Sequence, residues 1–282
     1  MGKSALITGS RGFLGKYLKN KLEILNYEIH EFEGDIRKIN DFNKSIDVVF
    51  HLAAKTKGSE FIKDKSNCFD INITGTQQVL NYCIKNDARL IFISTSAVYK
   101  FPDSDTLIKE NYPLQPKSSY AISKYIAENL CSQYFASFGL PVTILRIFNL
   151  YGIGQEEPYL VPYIINRLVK GEVIKLRMPE AIRDMIYVTD AVEAIAVAGM
   201  NQKKQLNIYN IGSGRNIRVI DFLHTAEQIF EKKANIKVVG NKYEEVDFMV
   251  ADNKKAIKEL KLKINTELKE GIKKIKESLD CY

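Results

Sequence analysis

Short apolar runs alternate with longer amphipathic stretches through the first half of the chain, the pattern of parallel strands joined by crossover helices. SALITG (4–9) reads as a first strand, RGFLGKYLKNKLEIL (11–25) as a helix and YEIHEF (27–32) as a second strand. A helix is expected near INDFNKSI (39–46), a third strand at DVVFHLAA (47–54), a helix at NITGTQQVLNYCIKN (72–86) and a fourth strand at RLIFISTS (89–96). SSYAISKYIAENLCSQYFASFG (118–139) is a long helix stopped by Gly139, and PVTILRIFNLYG (141–152) returns to the sheet. Strands apolar on both sides need helices on two faces, so the fold class is α/β with a doubly wound parallel sheet. After Gly152 the pattern loosens into turn-rich segments, with one further sheet-like return at LNIYNIGSG (206–214). No repeat, low-complexity linker or proline-rich tether marks a separable second domain.

At 282 residues the chain can bury a full core, and 45% hydrophobic with 27% charged residues is the balance of a soluble globular protein. No apolar run approaches the roughly 20 residues that cross a bilayer, and MGKSALITG runs into a strand without a cleavable pattern. The N-terminus resembles half of a myristoylation signal, but Leu6 stands where Ser or Thr is needed. No membrane partner is expected, and the expected location is the cytoplasm. Cys68, Cys83, Cys131 and Cys281 form no CxxC pair, and His30, His51 and His224 sit apart, so free thiols and no metal site are expected. Much of the net charge of +7 lies in KKAIKELKLKINTELKEGIKKIKESL, where lysines fill the wet face of helical spacing. With no recognised reading module, nucleic acid is not the expected partner. The positive field suits an acidic metabolite.

The first strand ends in TGSRGFLG, which sets Gly9, Gly12 and Gly15 at a strand-to-helix turn. Glycines there let the backbone turn tightly and approach a diphosphate, while free amides at the helix start attract the anion. In YAISK, Tyr120 and Lys124 stand four apart and share a helical face. An ammonium beside the phenol should lower its pKa and make it an acid or base near neutral pH. IFISTSAVY delivers Ser96 to the carboxyl edge of the sheet, where it could hydrogen-bond a substrate carbonyl or alcohol.

These motifs, in this order, resemble the extended short-chain dehydrogenase/reductases that act on nucleotide sugars, the NAD-dependent epimerase/dehydratase family, over nearly the whole chain. TGSRGFLG resembles the family's TGxxGxxG, GDI (34–36) its adenine-contacting motif and HLAA (51–54) its cofactor-floor strand. NITGT (72–76), STSAVY, YAISK, LRIFNLYG (145–152) and RDMIYVTD (183–190) also match, the last two in the nucleotide-sugar branch. The resemblance implies a Rossmann-type core over 1–150, with 185–212 returning to it, and a small C-terminal substrate-binding cap from 151–184 and 213–282. It implies Tyr120 as acid/base, Lys124 as ribose anchor and pKa modifier, and Ser96 as substrate clamp. Cofactor contacts fall on Gly9, Arg11, Gly12, Phe13, Leu14, Gly15, Asp35, Ile36, Leu52, Ala53, Ala54, Ser94, Tyr120 and Lys124. Substrate contacts fall on Ser96, Asn149 at the sugar nucleotide's phosphate and Arg183 as a diphosphate clamp.

Three departures from the family shape the expected activity. Thr95, Ser96 and Ala97 stand where 4,6-dehydratases carry Thr-Asp-Glu, which disfavours dehydration. The second strand runs almost directly into GDI, deleting the loop that wraps a permanently held NAD in typical epimerases. YEEVDFMVADNKKA lacks the usual arginine before Asp247, for which Lys242 could substitute. Glu31 or Glu33 would favour NAD by binding a ribose diol. Arg11, resembling an arginine that meets a 2'-phosphate in some 4-keto-sugar reductases, with Arg37 and Lys38 near by, tips the expectation to NADP(H) over NAD(H). The expected activity is reduction of the C4 keto group of a nucleoside-diphosphate 4-keto sugar. A 4-epimerase is the rival, and a cofactor-bound sensor without catalysis a third reading. The resemblance further implies a homodimer built on the helices that hold NITGT and YAISK.

Overall fold

The computed structural model describes residues 3–102, 105–201, 205–240 and 247–280; Lys242 and Cys281 fall outside them. The core strands are β1 (Ser4–Thr8), β2 (Glu28–Phe32), β3 (Val48–His51), β4 (Arg89–Thr95) and β5 (Val142–Ile147). Between them run α1 (Phe13–Ile24), α2 (Gly58–Lys63), α3 (Lys65–Lys85) and α4 (Ser119–Phe138). β6 (Asn149–Tyr151), α5 (Leu160–Lys170), β7 (Val173–Leu176), β8 (Ile182–Arg183) and β9 (Met185–Tyr187) follow. The chain continues through α6 (Val188–Met200), β10 (Leu206–Ile211), β11 (Ile217–Arg218), α7 (Val219–Phe230), β12 (Asn235–Val238), β13 (Phe248–Met249), α8 (Lys254–Leu260) and α9 (Leu268–Asp280).

Among the described residues the main sheet has six strands in the order β10-β5-β4-β3-β1-β2. All pairs are parallel, with Ala5 opposite Ile29 on one side and Val48 on the other. Ala5, Leu6 and Ile7 are fully buried because both faces are covered. One apolar layer joins the sheet to α1 and α6, and another joins it to α3 and α4. Two helical glycines allow close approaches: a Cβ on Gly75 of α3 would lie 2.5 Å from Ile36 Cγ2, and one on Gly199 of α6 would lie 2.3 Å from Phe50 Cζ. The return of LNIYNIGSG is β10, paired with β5 from Leu206↔Val142 to Ile211↔Ile147. The later segments form small sheets: β6 with β9, β7 with β12, and β8 between β11 and β13.

Two sequence expectations change. The helix expected over 39–46 is a short 3-10 turn, Ile36–Asp41, which buries Ile36 and Ile39 and is capped by Asp35 accepting from Arg37 N–H. The helix expected from Asn72 starts at Lys65, capped by Asp64 accepting from Asn67 N–H, and α2 precedes it. α4 matches its expected span closely. Ser118 Oγ accepts from Ala121 N–H at 3.1 Å, and Gly139 closes the helix at φ +67°. Tyr120 therefore stands in the first turn of α4.

Candidate active site

β1 is flanked by β2 on one side and β3 on the other, so the crossovers leave it in opposite directions and open a crevice beyond the strand ends. A cavity of about 1000 Å³ lies at that edge. Gly9, Gly12, Phe13, Leu14, Gly15, Leu52, Ala54, Ser94, Ser96, Tyr120, Lys124, Asn149 and Arg183, all expected from sequence, line it. Arg11, Asp35, Ile36 and Ala53 are not in its lining.

The glycine turn is built for close backbone contact. Gly9 has φ +75° and a Cβ there would meet Ala53 N at 2.8 Å, while a Cβ on Gly15 would sit 2.3 Å from Gly9 O. α1 has no side-chain cap and no acidic residue in its first turn, so its own sequence brings no carboxylate to its N-terminal amides. An uncovered helix start beside a side-chain-free cradle fits the diphosphate of a dinucleotide.

Beneath the floor runs a buried polar chain. Ala53 N–H donates to Thr8 Oγ1 (3.2 Å), Thr8 donates to His51 Nδ1 (2.8 Å), and His51 Nε2–H donates to Thr76 Oγ1 (3.0 Å), which donates to Asn72 O (2.7 Å). This order of donors needs a neutral ring, and burial, with the Lys124 charge assisting, pushes the His51 pKa down to about 3. The unfolded chain binds a proton here that the folded protein refuses. The His51 contribution to stability is therefore whole above pH 6.5 and is lost as pH falls towards 3. Asn72 accepts from Lys55 N–H and donates to Ser123 Oγ, tying the loop after β3 to α4.

At the far wall, Tyr120 meets a hydroxyl, but it is that of Thr95, close enough to lower the phenol's pKa as a hydrogen-bond donor. Thr95 Oγ1 accepts from Ala97 N–H at 3.2 Å, which leaves its own proton for Tyr120. Ser96, the residue expected as substrate clamp, lines the cavity one position further on. The expected lowering of the Tyr120 pKa by Lys124 does not occur. Burial raises it, the neighbouring Tyr159 adds to the rise, and the Thr95 bond opposes it, so the phenol holds its proton. Lys124 Nζ lies 4.3 Å from the centre of the Phe92 ring. Burial brings the Lys124 pKa down from 10.5 to about 8, with Cys131 and Glu128 opposing.

Between those two values the unfolded chain carries the proton that the folded protein has lost, so stability rises with pH across the window. Lys124→Met should therefore stabilise the fold at pH 7 by on the order of 3 kcal/mol, at about 1.4 kcal/mol per pKa unit, and raise the melting temperature. The gain should shrink as pH climbs from 8 to 10.5; calorimetry over that range checks it.

Three expected contacts are otherwise engaged. The Asp35 carboxylate accepts from Arg37 N, Nε and the guanidinium end, which hold its pKa down to about 2, and Arg37 reaches on to Asp70 of α3. Ser94 donates to Glu128 Oε1 at 2.5 Å. Arg11 Nε donates to Glu33 at 3.0 Å, and a second Arg11 nitrogen closes the pair. Glu31 accepts from Lys19.

Sequence reasoning missed Thr95, Thr56, Tyr159, Tyr163, Lys175 and Arg177, all in the lining. The period-2 alternation of Lys175 and Arg177 around Leu176 was the available signal for the two cations. Thr56 Oγ1 and Tyr159 OH share a hydrogen bond of 2.7 Å, joining the loop after β3 to the start of α5 across the cavity. Among the described residues the lining holds Lys124, Lys175, Arg177 and Arg183 and no carboxylate. Asp184, beside Arg183, turns into the interior, where it accepts from Ser213 N–H and Oγ–H, Gly214 N–H and Ala251 N–H. Among the described residues no cluster of metal-ligating side chains occurs, Cys68, Cys83 and Cys131 are buried free thiols, and no helix is long and apolar enough to cross a membrane.

The sequence model of the NAD dependent epimerase/dehydratase family matches residues 5–212. A UDP-N-acetyl-alpha-D-glucosaminuronate decarboxylase of Bacillus cytotoxicus is 29% identical, over 97% of this chain and 96% of that one. A trifunctional UDP-glucose 4,6-dehydratase/UDP-4-keto-6-deoxy-D-glucose 3,5-epimerase/UDP-4-keto-L-rhamnose-reductase of Arabidopsis thaliana is 29% identical over 99% of this chain, which spans about half (47%) of its length. The crystal structure of UDP-glucose 4-epimerase from Thermotoga maritima with UDP-glucose superimposes with a TM-score of 0.90 at 25% identity, covering 99% of both chains.

Proposed function

Because the chain belongs to the NAD-dependent epimerase/dehydratase family of extended short-chain dehydrogenase/reductases, we propose that it is a 4-epimerase of a nucleoside-diphosphate sugar. The observation that carries this reading is the meeting in one cavity of the Tyr120–Thr95 pair, the glycine turn and, among the described lining residues, the four cations Lys124, Lys175, Arg177 and Arg183. Cations of the cap segment, Lys175, Arg177 and Arg183, match a sugar diphosphate. Ser96 and Ala97, the two residues after Thr95, supply neither the acid nor the base that the elimination step of a dehydration needs there. The likeness to the Thermotoga maritima epimerase supports epimerisation within what remains.

A nicotinamide held over the glycine cradle would take a hydride from C4 and return it. The chain's own work is the proton. With its own proton first released to solvent, Tyr120 would accept the C4 hydroxyl proton on its phenolate oxygen as the hydride leaves, and give it back to the keto oxygen when the hydride returns to the opposite face. Thr95 donates to Tyr120 while the phenolate exists, and Lys124 supplies the nearby positive charge. Gly9, Gly12 and Gly15 hold the cofactor diphosphate, Leu52 and Ala54 its floor, and Asn149 and Arg183 the sugar nucleotide.

We read the cofactor as NAD(H), in place of the NADP(H) expected from sequence. Arg11, on which that expectation rested, is neutralised by Glu33, whose carboxylate stands at the end of β2 where a 2'-phosphate would be repelled. Glu33→Ala should raise the affinity for NADP+ relative to NAD+ about tenfold, the value of one near charge; fluorescence titration with both cofactors checks this. We assign α3 and α4 to a homodimer face, next to which Ile62 is 89% and Phe138 64% exposed; sedimentation velocity tests it.

Two observations favour a second reading, the 4-keto reductase. The Tyr120 phenol keeps its proton, as a general acid should, and β2 ends only at Phe32 before the turn that starts at Ile36, leaving no room for a cofactor-wrapping loop. The two separate on supplying UDP-hexoses with NAD+ and 4-keto sugars with reduced cofactor. Interconversion of C4 epimers without net NADH supports the first; turnover of the keto sugar alone, consuming reduced cofactor, supports the second and overturns the first.

A further inference from the structure

One buried ion pair plays no part in the chemistry above. Glu128 of α4 and Arg146 of β5 are 3% and 2% exposed, and Arg146 grips the carboxylate through Nε (3.0 and 3.2 Å) and a terminal nitrogen (2.6 Å). Ser94 of β4 donates to the same carboxylate at 2.5 Å. Arg146 is itself fixed, donating to Tyr99 OH (2.9 Å) and Glu110 O (3.0 Å), and Tyr99 donates to Asn210 of β10 (2.6 Å).

Glu128 stands on the stripe of α4 that carries the site, since Tyr120, Lys124 and Glu128 are spaced four apart. Its partners stand beside the other half of the site. Ser94 precedes Thr95 in β4, and Arg146 lies three residues before Asn149. Burying two charges brings little net stability over apolar packing, whereas it fixes geometry sharply, because leaving either partner unpaired costs several kcal/mol. Two strands and the catalytic helix thus meet at a carboxylate that is 3% exposed, and β10 joins them through Tyr99.

We propose that Glu128 is a positioning residue, which, clasped between Ser94 and Arg146, fixes α4 on β4 so that Tyr120 meets Thr95, and supplies the negative charge that keeps Lys124 an ammonium. The proposal rests on the reading of Tyr120, Thr95 and Lys124 just given. The titratable groups around Lys124 are Tyr120, Glu128 and Cys131 on its own helix and His51 from β3. His51 is neutral and Cys131 a buried thiol whose pKa burial pushes up, so Glu128 is the one charge among them at neutral pH.

Two variants test it, Ser94→Ala, which removes one bond and keeps the ion pair, and Glu128→Gln, which removes the charge and keeps the shape. Each should lower kcat at least about tenfold, a misplacement of about 1 Å being able to cost roughly a hundredfold, with KM within about twofold. Glu128→Gln should also lower the Lys124 pKa by about one unit, read by 13C NMR titration of the unliganded protein, and Ser94→Ala should leave it in place. A role in folding alone would lower the melting temperature and move neither quantity. A kcat within twofold of the unaltered protein in either variant, a loss taken in KM, or an unmoved Lys124 pKa in Glu128→Gln overturns the proposal. If Glu128→Gln does not fold, the kcat of Ser94→Ala decides. If the unaltered protein turns over no nucleotide sugar, the functional reading fails separately, and the Lys124 titration still decides whether Glu128 holds that charge.

Discussion

Tyr120→Phe is expected to lower kcat by about 10³-fold, within the range a positioned acid or base contributes, and to leave NAD+ affinity within twofold. The argument is the position of the oxygen. Tyr120 Oη stands beside the Thr95 hydroxyl at the C-terminal end of β4, and among the described cavity-lining side chains no carboxylate or histidine could relay a proton in its stead. Phe keeps the ring, and with it the edge contact to Phe61 at 6.4 Å between centroids. The loss should therefore fall on chemistry and spare folding and cofactor binding. Steady-state kinetics beside a cofactor titration separates the two; a variant retaining a tenth of the activity would move the proton elsewhere. Thr95→Val should act in the same direction with a smaller loss, since it removes only the donor that steadies the phenolate.

The second large effect is expected at Gly15. A methyl group there would lie 2.3 Å from Gly9 O and 2.7 Å from Ser10 Cα, and every atom it meets belongs to backbone that cannot swing aside. Gly15→Ala must push α1 away from the turn, withdrawing the amides that face the cofactor diphosphate. We expect NAD+ affinity to fall at least about 100-fold and stability by about 1–3 kcal/mol, the cost of overpacking a close contact. Gly58→Ala is the matched control. Its Cβ meets nothing within 4 Å, and it should leave both quantities unchanged. Isothermal titration with NAD+ and thermal unfolding of the two variants check the contrast.

What could be read from the sequence divides along physical lines. β1, α1, β3, β4, α4 and β5 were legible because their periodicity is continuous and their ends carry local signals, such as Ser118 and Gly139 around α4. The 3-10 turn at Ile36–Asp41 was not, since its two buried isoleucines mimic one helical repeat. The start of α3 was hidden for the opposite reason. Lys65, Ser66 and Asn67 are polar and exposed or nearly so, and the cap from Asp64 is a single side chain.

In the site, the glycine turn, Tyr120 and Lys124 follow from spacing alone. The choice between Thr95 and Ser96 does not, because both are hydroxyls at a strand end and only the way the chain leaves β4 decides which one faces α4. The charge state of Tyr120 was misjudged because spacing reveals the ammonium and not the burial of both groups. Pairings across the sequence, Arg11 with Glu33 and Glu128 with Arg146, become visible only once the strands are laid side by side.

The measurement that bears most directly on the whole account is the proton NMR spectrum of UDP-glucose and related nucleotide sugars incubated with the protein and catalytic NAD+. The account predicts that at least one of them gains the anomeric signal of its C4 epimer, without accumulation of NADH, and that Tyr120→Phe abolishes the change. A protein that binds NAD+ tightly yet leaves every nucleotide sugar unaltered, or whose Tyr120→Phe variant converts one at the original rate, would contradict it.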